Sequence, residues 1–126
     1  MASSRSVDPA ELRAVITAIS PWLSGSGPEP ARPELAAAVR LSLRTLASDA
    51  PGKSVEVRVP PFAAVQCVEG LRHTRGTPPN VVETDPRTWL ELATGLLGWA
   101  DAVESGRVTA SGTRADLTHW LPLVRL

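Results

Sequence analysis

The stretch that decides the fold of this chain is VETDPRTWLELATGLLGWADAVESGRVTASG, residues 82–112. Asp85 stands directly before Pro86, the arrangement of a helix N-cap followed by proline at the first helical position. Apolar residues then recur with the spacing of one helical face, which predicts a buried stripe. These residues are Trp89, Leu92, Ala93, Leu96 and Leu97. The stretch contains no catalytic motif, so we interpret it as scaffold.

Two glycines divide the rest of this stretch. Gly95 follows Thr94 and suits a left-handed helix cap, after which Trp99 begins a second, short helix. Gly106 ends that helix. Residues 107–111 alternate between polar and apolar side chains, which is the period of a half-buried strand. The stretch therefore predicts a helix, a short helix and a strand, in that order.

Two further helices are predicted near the start of the chain. The first is capped by Asp8 and ends at Pro21, and the second begins at Pro33 and ends at Ala50. Proline suits the first turn of a helix and interrupts its interior. The segment between these helices, 25–33, is rich in glycine and proline and is predicted to be a surface loop.

The middle of the chain predicts a sheet. Residues 53–59 alternate strictly, with valines on one side and polar residues on the other, as in a strand with one wet face. Residues 62–68 are apolar on both sides except for Gln66, so we predict a more central strand there. A short strand is predicted over 81–84, after an exposed loop over 70–80.

The chain is predicted to close with an amphipathic helix. Its apolar face would consist of Leu117, Trp120, Leu121 and Val124. Short strands joined by tight turns indicate a mostly antiparallel sheet of four to five strands, covered on one face by about five helices. Helices segregated to one side of such a sheet define the α+β class.

Composition narrows the classes of function. A chain of 126 residues fits a single domain, 1–126, with a sizeable core, and residues 1–7 are predicted to be disordered. Thirteen basic and thirteen acidic residues give a net charge near zero, which argues against nucleic acid as a partner. No signal peptide pattern or membrane span of about 18 apolar residues is present. Together with a single cysteine, these features predict a cytoplasmic location.

No residue pattern supports catalysis or a metal site. Cys67 lies in an apolar run without a neighbouring histidine, so an inert buried thiol is predicted. His73 and His119 lack the spacing of zinc ligands. Nucleophile-elbow, phosphate-loop and dinucleotide fingerprints are also missing. We therefore predict a protein that is not an enzyme and needs no cofactor.

One loop concentrates positive charge, at Arg72, His73 and Arg75. Arginine side chains match the oxygens of carboxylates and phosphates. The loop could therefore contact an anionic headgroup or a membrane surface. An ordinary solvated loop is the alternative, and the sequence leaves both open.

The second half of the chain resembles the C-terminal half of sterol carrier protein 2-like (SCP2-like) domains. The resemblance rests on WLELATG at 89–95 and SGRVTASG at 105–112, with Thr84 and Asp85 before them. In that family an acidic cap opens a helix that ends in a Thr-Gly pair, and a basic-hydrophobic strand precedes a last amphipathic helix. The family usually has five strands, so the resemblance implies that a fifth strand is missing or hidden near 70–80. The sequence looks most like the actinobacterial branch of small, stand-alone orthologues.

The resemblance implies carriage of a fatty acyl, sterol-like or other apolar ligand in an internal tunnel, with transient membrane contact. The same side chains could instead fill a closed core, as in an accessory or protein-interaction domain. Similar domains fused in mycothiol-dependent isomerase-like proteins suggest a link to thiol-dependent isomerases and transferases. The tunnel wall that the resemblance implies consists of Trp89, Leu92, Leu96, Trp99, Leu117, Trp120 and Leu121.

Overall fold

The computed structural model describes residues 6–70 and 80–126. Within these ranges, helices pack on one face of a four-stranded sheet, which confirms the predicted α+β class. The predicted disorder over 1–7 falls largely on residues 1–5, outside the described residues. The helices are α1 (Pro9–Leu23), α2 (Arg32–Asp49), α3 (Pro86–Thr94) and α4 (Trp99–Glu104). The strands are β1 (Val55–Val59), β2 (Ala63–Cys67), β3 (Asn80–Thr84) and β4 (Val108–Ser111).

The sheet has the strand order β2-β1-β3-β4. The β1–β2 and β3–β4 pairs are antiparallel, as predicted, whereas β1 and β3 run parallel. The register aligns Val57 with Val65 on one side and with Val82 on the other. Side chains at alternate positions therefore share the face that packs on the helices, where Val55, Val57 and Val59 are completely buried.

Among the described strands, β2 is an outer strand of the sheet, whereas the sequence predicts a more central strand over 62–68. Every second side chain of β2, ending at the buried Cys67, faces the helices, while Ala64 and Gln66 are exposed. The apolar pattern over 62–68 does not separate the two faces of the strand, because alanine is common at both buried and exposed positions.

Helix α1 and the end of the chain differ from the sequence prediction. Helix α1 continues through Pro21, and the carbonyl of Thr17 that loses its backbone donor there accepts the Ser20 hydroxyl at 2.9 Å. The closing helix is only a short 3-10 turn, Thr118–Trp120, and the predicted amphipathic helix is not formed. Leu121 is extended because the proline after it disfavours the α conformation.

Trp89 on α3 occupies the centre of the core. Its side chain is completely buried, and its indole Nε1 donates to the Ser42 hydroxyl of α2 at 2.8 Å. The Ser42 hydroxyl lies 2.7 Å from the carbonyl oxygen of Ala38, to which it donates within its own helix. The buried indole N–H thus has a fixed partner, and α2 and α3 are tied together through it.

Asp85 caps α3, as the sequence predicts. One carboxylate oxygen accepts the Thr88 backbone N–H at 3.1 Å, and the other accepts the Thr88 hydroxyl at 2.6 Å. Partial burial pushes the pKa of Asp85 upward, but these hydrogen bonds and the positive charge of Arg107 outweigh it. The pKa of this carboxyl therefore lies below its usual value.

We expect the substitution Asp85→Ala to lower the free energy of unfolding by about 0.5–2 kcal/mol at neutral pH. Because folding lowers the pKa of Asp85, its contribution is complete above the unfolded pKa of about 3.9 and is lost as pH falls through the folded pKa. Urea unfolding of both proteins at about pH 7 and about pH 3 measures this difference. A difference that does not shrink in acid would contradict the charged-cap explanation.

Candidate ligand-binding cleft

The α3–α4 turn and the C-terminal segment, residues 117–126, face each other across a cleft of about 230 Å³. Gly95 makes the turn with a left-handed φ of 83°, and its N–H donates back into the last turn of α3 at 3.3 Å. The C-terminal segment is held on α3 because the N–H groups of Leu123 and Val124 both donate to the Ala93 carbonyl, at 2.8 and 3.1 Å. Backbone hydrogen bonds therefore fix both walls.

The lining of the cleft is mainly apolar. Small-molecule sites in proteins typically combine such a lining with a few polar groups that orient the ligand. Here the polar side chains are Thr118 and Arg125, and two glycines contribute backbone. The apolar contributors are Leu92, Leu97, Trp99, Leu121 and Pro122.

Three of the seven side chains predicted as a ligand wall line this cleft, namely Leu92, Trp99 and Leu121. Trp89 and Leu117 are completely buried in the core and do not line it. The cleft lies at the protein surface, between a turn and the C-terminal segment, whereas the resemblance implies a tunnel between sheet and helices. The predicted wall is thus divided between the core and the cleft.

Leu96 and Trp120 lie outside the cleft lining. Leu96 is 52% exposed because Gly95 leaves the helical conformation, so the prediction that the buried face continues through Leu96 is wrong. Leu97 is half-buried and lines the cleft instead. Trp120 is half-buried, and its ring meets that of His119 edge-on with centroids 4.9 Å apart.

The cation that the structure places at the cleft is Arg125, which the sequence analysis missed. A signal was present, because Arg125 is the only lysine or arginine in the otherwise largely apolar segment 117–126. Arg72, His73 and Arg75, the predicted headgroup contacts, lie outside the described residues.

Two other concave surfaces lie outside this cleft, one of them polar and the other mainly apolar. On the sheet face away from the helices, a depression of about 460 Å³ contains Arg58, which pairs with Glu56 at 3.3 Å and with Glu83 at 3.9 Å. A groove of about 380 Å³ between α1 and α2 offers mainly alanines and one polar side chain, Glu34. That carboxylate accepts the Ala31 N–H at 3.2 Å, so it already serves the start of α2.

A comparison with protein families matches residues 31–123 to the family described as bacterial SCP ortholog. The chain belongs to this family. The match covers the cleft up to Leu123 and extends back over α2, β1 and β2, beyond the half of the chain that carries the SCP2-like resemblance. A search of curated proteins finds no match.

Membership in the SCP family confirms the sterol carrier protein resemblance and places the chain among domains of a lipid-binding type. Such domains are generally non-catalytic. An apolar cleft with one orienting cation is in keeping with a site that holds a ligand without reacting with it. The family match itself names no ligand and no partner.

An ion-pair network in this SCP domain joins α1, α3 and the start of β4. Glu91 accepts from Arg87 Nε at 2.9 Å and from Arg107 Nη2 at 2.8 Å. Arg87 also donates to the Trp22 carbonyl at 3.2 Å and stacks over the Trp22 ring at 4.7 Å. Because these groups are engaged with one another, we interpret the network as structural.

The described residues give this SCP domain no evident reactive centre. Burial raises the pKa of Cys67 to about 11, so its thiol is protonated at neutral pH and is a poor nucleophile. Over 6–70 and 80–126, no three His, Cys, Asp or Glu side chains are grouped as metal ligands would be. None of the helices in these ranges combines the length and apolar character needed to cross a bilayer.

Proposed function

We propose that this domain binds the aliphatic part of a lipid-like ligand, without covalent chemistry, in the cleft between the α3–α4 turn and the C-terminal segment. The observation that carries the proposal is the apolar lining to which the half-buried side chains of Leu97, Trp99 and Leu121 contribute. It is supported by membership in the bacterial SCP family. Binding would depend on removing the ligand's methylene groups from water.

The size of the cleft favours a single chain over a fused-ring sterol. Its volume of about 230 Å³ is below the roughly 300–1,000 Å³ of pockets for drug-sized ligands. Burial of about six methylene groups at about 0.8 kcal/mol each would contribute about 5 kcal/mol. A dissociation constant on the order of 1 mM corresponds to about 4 kcal/mol. Because immobilising the ligand offsets much of the gain, we expect a short chain to bind no more tightly than this.

Octanol, a neutral probe, tests this proposal. We expect saturable binding by calorimetry, accompanied by a change in tryptophan emission because Trp99 lines the cleft. The substitution Trp99→Phe should remove most of the emission change while the calorimetric binding persists. An emission change of unaltered size in that variant would place the probe elsewhere.

A matched pair of variants locates the site. Thr118 is exposed and lines the cleft, so Thr118→Phe should fill the cleft and weaken octanol binding at least about tenfold. Ala18 is exposed in the groove between α1 and α2, so Ala18→Phe should leave the affinity unchanged. The reverse pattern would assign the ligand to that groove.

An interaction domain without a ligand is the second candidate. Complete burial of Trp89 and Leu117 favours it, because these side chains would border the ligand path in a tunnel-type carrier. A folded protein that binds neither octanol nor longer acyl probes would support this candidate and turn attention to protein partners.

A further inference from the structure

Arg125 is the one cationic side chain among the described residues that line the cleft, and no acidic side chain joins it there. Its Nη1 lies 3.1 Å from the position that a Cβ on Gly95 would occupy. The guanidinium therefore rests over the bare Cα of the glycine that ends α3. A larger residue at position 95 would crowd it.

The backbone at Arg125 is anchored on two sides. Its carbonyl oxygen accepts from Arg13 Nη1 of α1 at 2.9 Å. The two preceding residues, Leu123 and Val124, are hydrogen-bonded to Ala93 of α3. These contacts hold the base of the Arg125 side chain at the edge of the cleft, although the side chain itself is exposed.

The charge of Arg125 is not neutralised within the described part of the chain. The ion pairs found there involve other arginines. Two carboxylates stand near the rim. Asp101 Oδ2 lies 3.8 Å from the Cβ position of Gly98, and Asp116 accepts the Thr118 N–H at 2.8 Å, but neither pairs with Arg125.

We propose that Arg125 makes the cleft selective for amphiphiles with an anionic head, such as a carboxylate. The guanidinium presents several N–H donors in a planar fork that matches the two oxygens of a carboxylate. The aliphatic chain of the same ligand would contact Leu97, Trp99 and Leu121. This inference rests on the proposed function, to which it adds the chemistry of the head.

The test compares octanoate, octanol and octylammonium, which share one chain length and differ in the charge of the head. In the wild-type protein we expect octanoate to bind about tenfold more tightly than octanol, which corresponds to about 1.4 kcal/mol, and octylammonium to bind more weakly. Arg125→Gln should abolish this preference while leaving octanol affinity within about twofold. Arg125→Lys, which keeps the charge and loses the fork, should retain part of the preference.

A control and a salt series sharpen the result. Arg44→Gln removes an exposed cation of α2 that does not line the cleft, so it should leave the preference intact. Because Arg125 is exposed, raising the salt concentration should reduce the preference for octanoate over octanol without weakening the binding of octanol itself.

The outcomes separate this inference from the proposed function. Octanol binding with no preference for octanoate, or a preference that survives Arg125→Gln, would overturn the role of Arg125 and leave the proposed function standing. Arg125→Gln could instead lower the midpoint of thermal unfolding and weaken the binding of all three probes alike. Arg125 would then be a structural cation at the negative end of α3, which also overturns the inference. If a folded protein binds none of the probes, both proposals fail.

Discussion

Replacing Trp89 with alanine is expected to lower the free energy of unfolding by about 3–5 kcal/mol. The indole is completely buried between α3 and α2, and its removal would leave a cavity at the centre of the core. A domain of this size typically has a total stability of about 5–15 kcal/mol. The variant should therefore show a much lower midpoint in urea unfolding, or a measurable unfolded population in buffer.

Two milder variants divide this effect between packing and hydrogen bonding. Trp89→Phe keeps most of the apolar volume and removes the N–H, so it should cost less than Trp89→Ala. Ser42→Ala leaves the indole N–H buried without its acceptor, which should cost about 1–3 kcal/mol. If Trp89→Ala is nearly neutral while octanol affinity falls, Trp89 faces a ligand and not the core.

The second large effect is expected at Gly52, which lies between α2 and β1 and has a φ of 145°. A Cβ at this position would overlap the backbone carbonyl of Val68. That carbonyl is fixed because Val68 N–H donates to Ala50 and Val68 oxygen accepts from Ser54 N–H, at 2.6 and 3.0 Å. Backbone held in this way cannot yield to the new methyl group.

We therefore expect Gly52→Ala to lower the free energy of unfolding by at least about 3 kcal/mol. Gly25→Ala is the matched control, since Gly25 also has a positive φ, of 87°, but no atom lies within 4 Å of its Cβ position. Its cost should be only the conformational one, about 1 kcal/mol. Thermal or urea unfolding of the two variants compares them, and equal losses would show that the approach of Val68 does not matter.

The ends of α3 could be predicted from the sequence because helix caps are decided locally. Asp85 with Pro86, and Gly95 after Thr94, each bring their signal within two adjacent residues. The same locality explains one error in this stretch. Periodicity extends the apolar face through Leu96, whereas the left-handed conformation of Gly95 shifts the inward position to Leu97.

The cleft could not be predicted because its two walls are far apart in the chain. The C-terminal segment is joined to α3 by hydrogen bonds from Leu123 and Val124 to the carbonyl of Ala93. A backbone acceptor leaves no trace in the sequence, so the approach of the C-terminal segment to α3 does not follow from residue patterns, although Arg125 stands out as the only lysine or arginine of that segment. The outer position of β2 among the described strands could not be predicted either, because the order of strands depends on pairing between residues far apart in the chain.

Among the described strands, β2 and β4 lie at the outside of the sheet, and this position bears on how the domain behaves at high concentration. An outer strand with free backbone groups can template the addition of a strand from another molecule, the first step of aggregation. Here the outer strands are five and four residues long. The outward residues of β2 are Ala64 and Gln66, which have weak β-forming tendency. Outer strands that are short and have this composition offer few backbone groups for pairing with a second molecule, which favours separate molecules over fibrils.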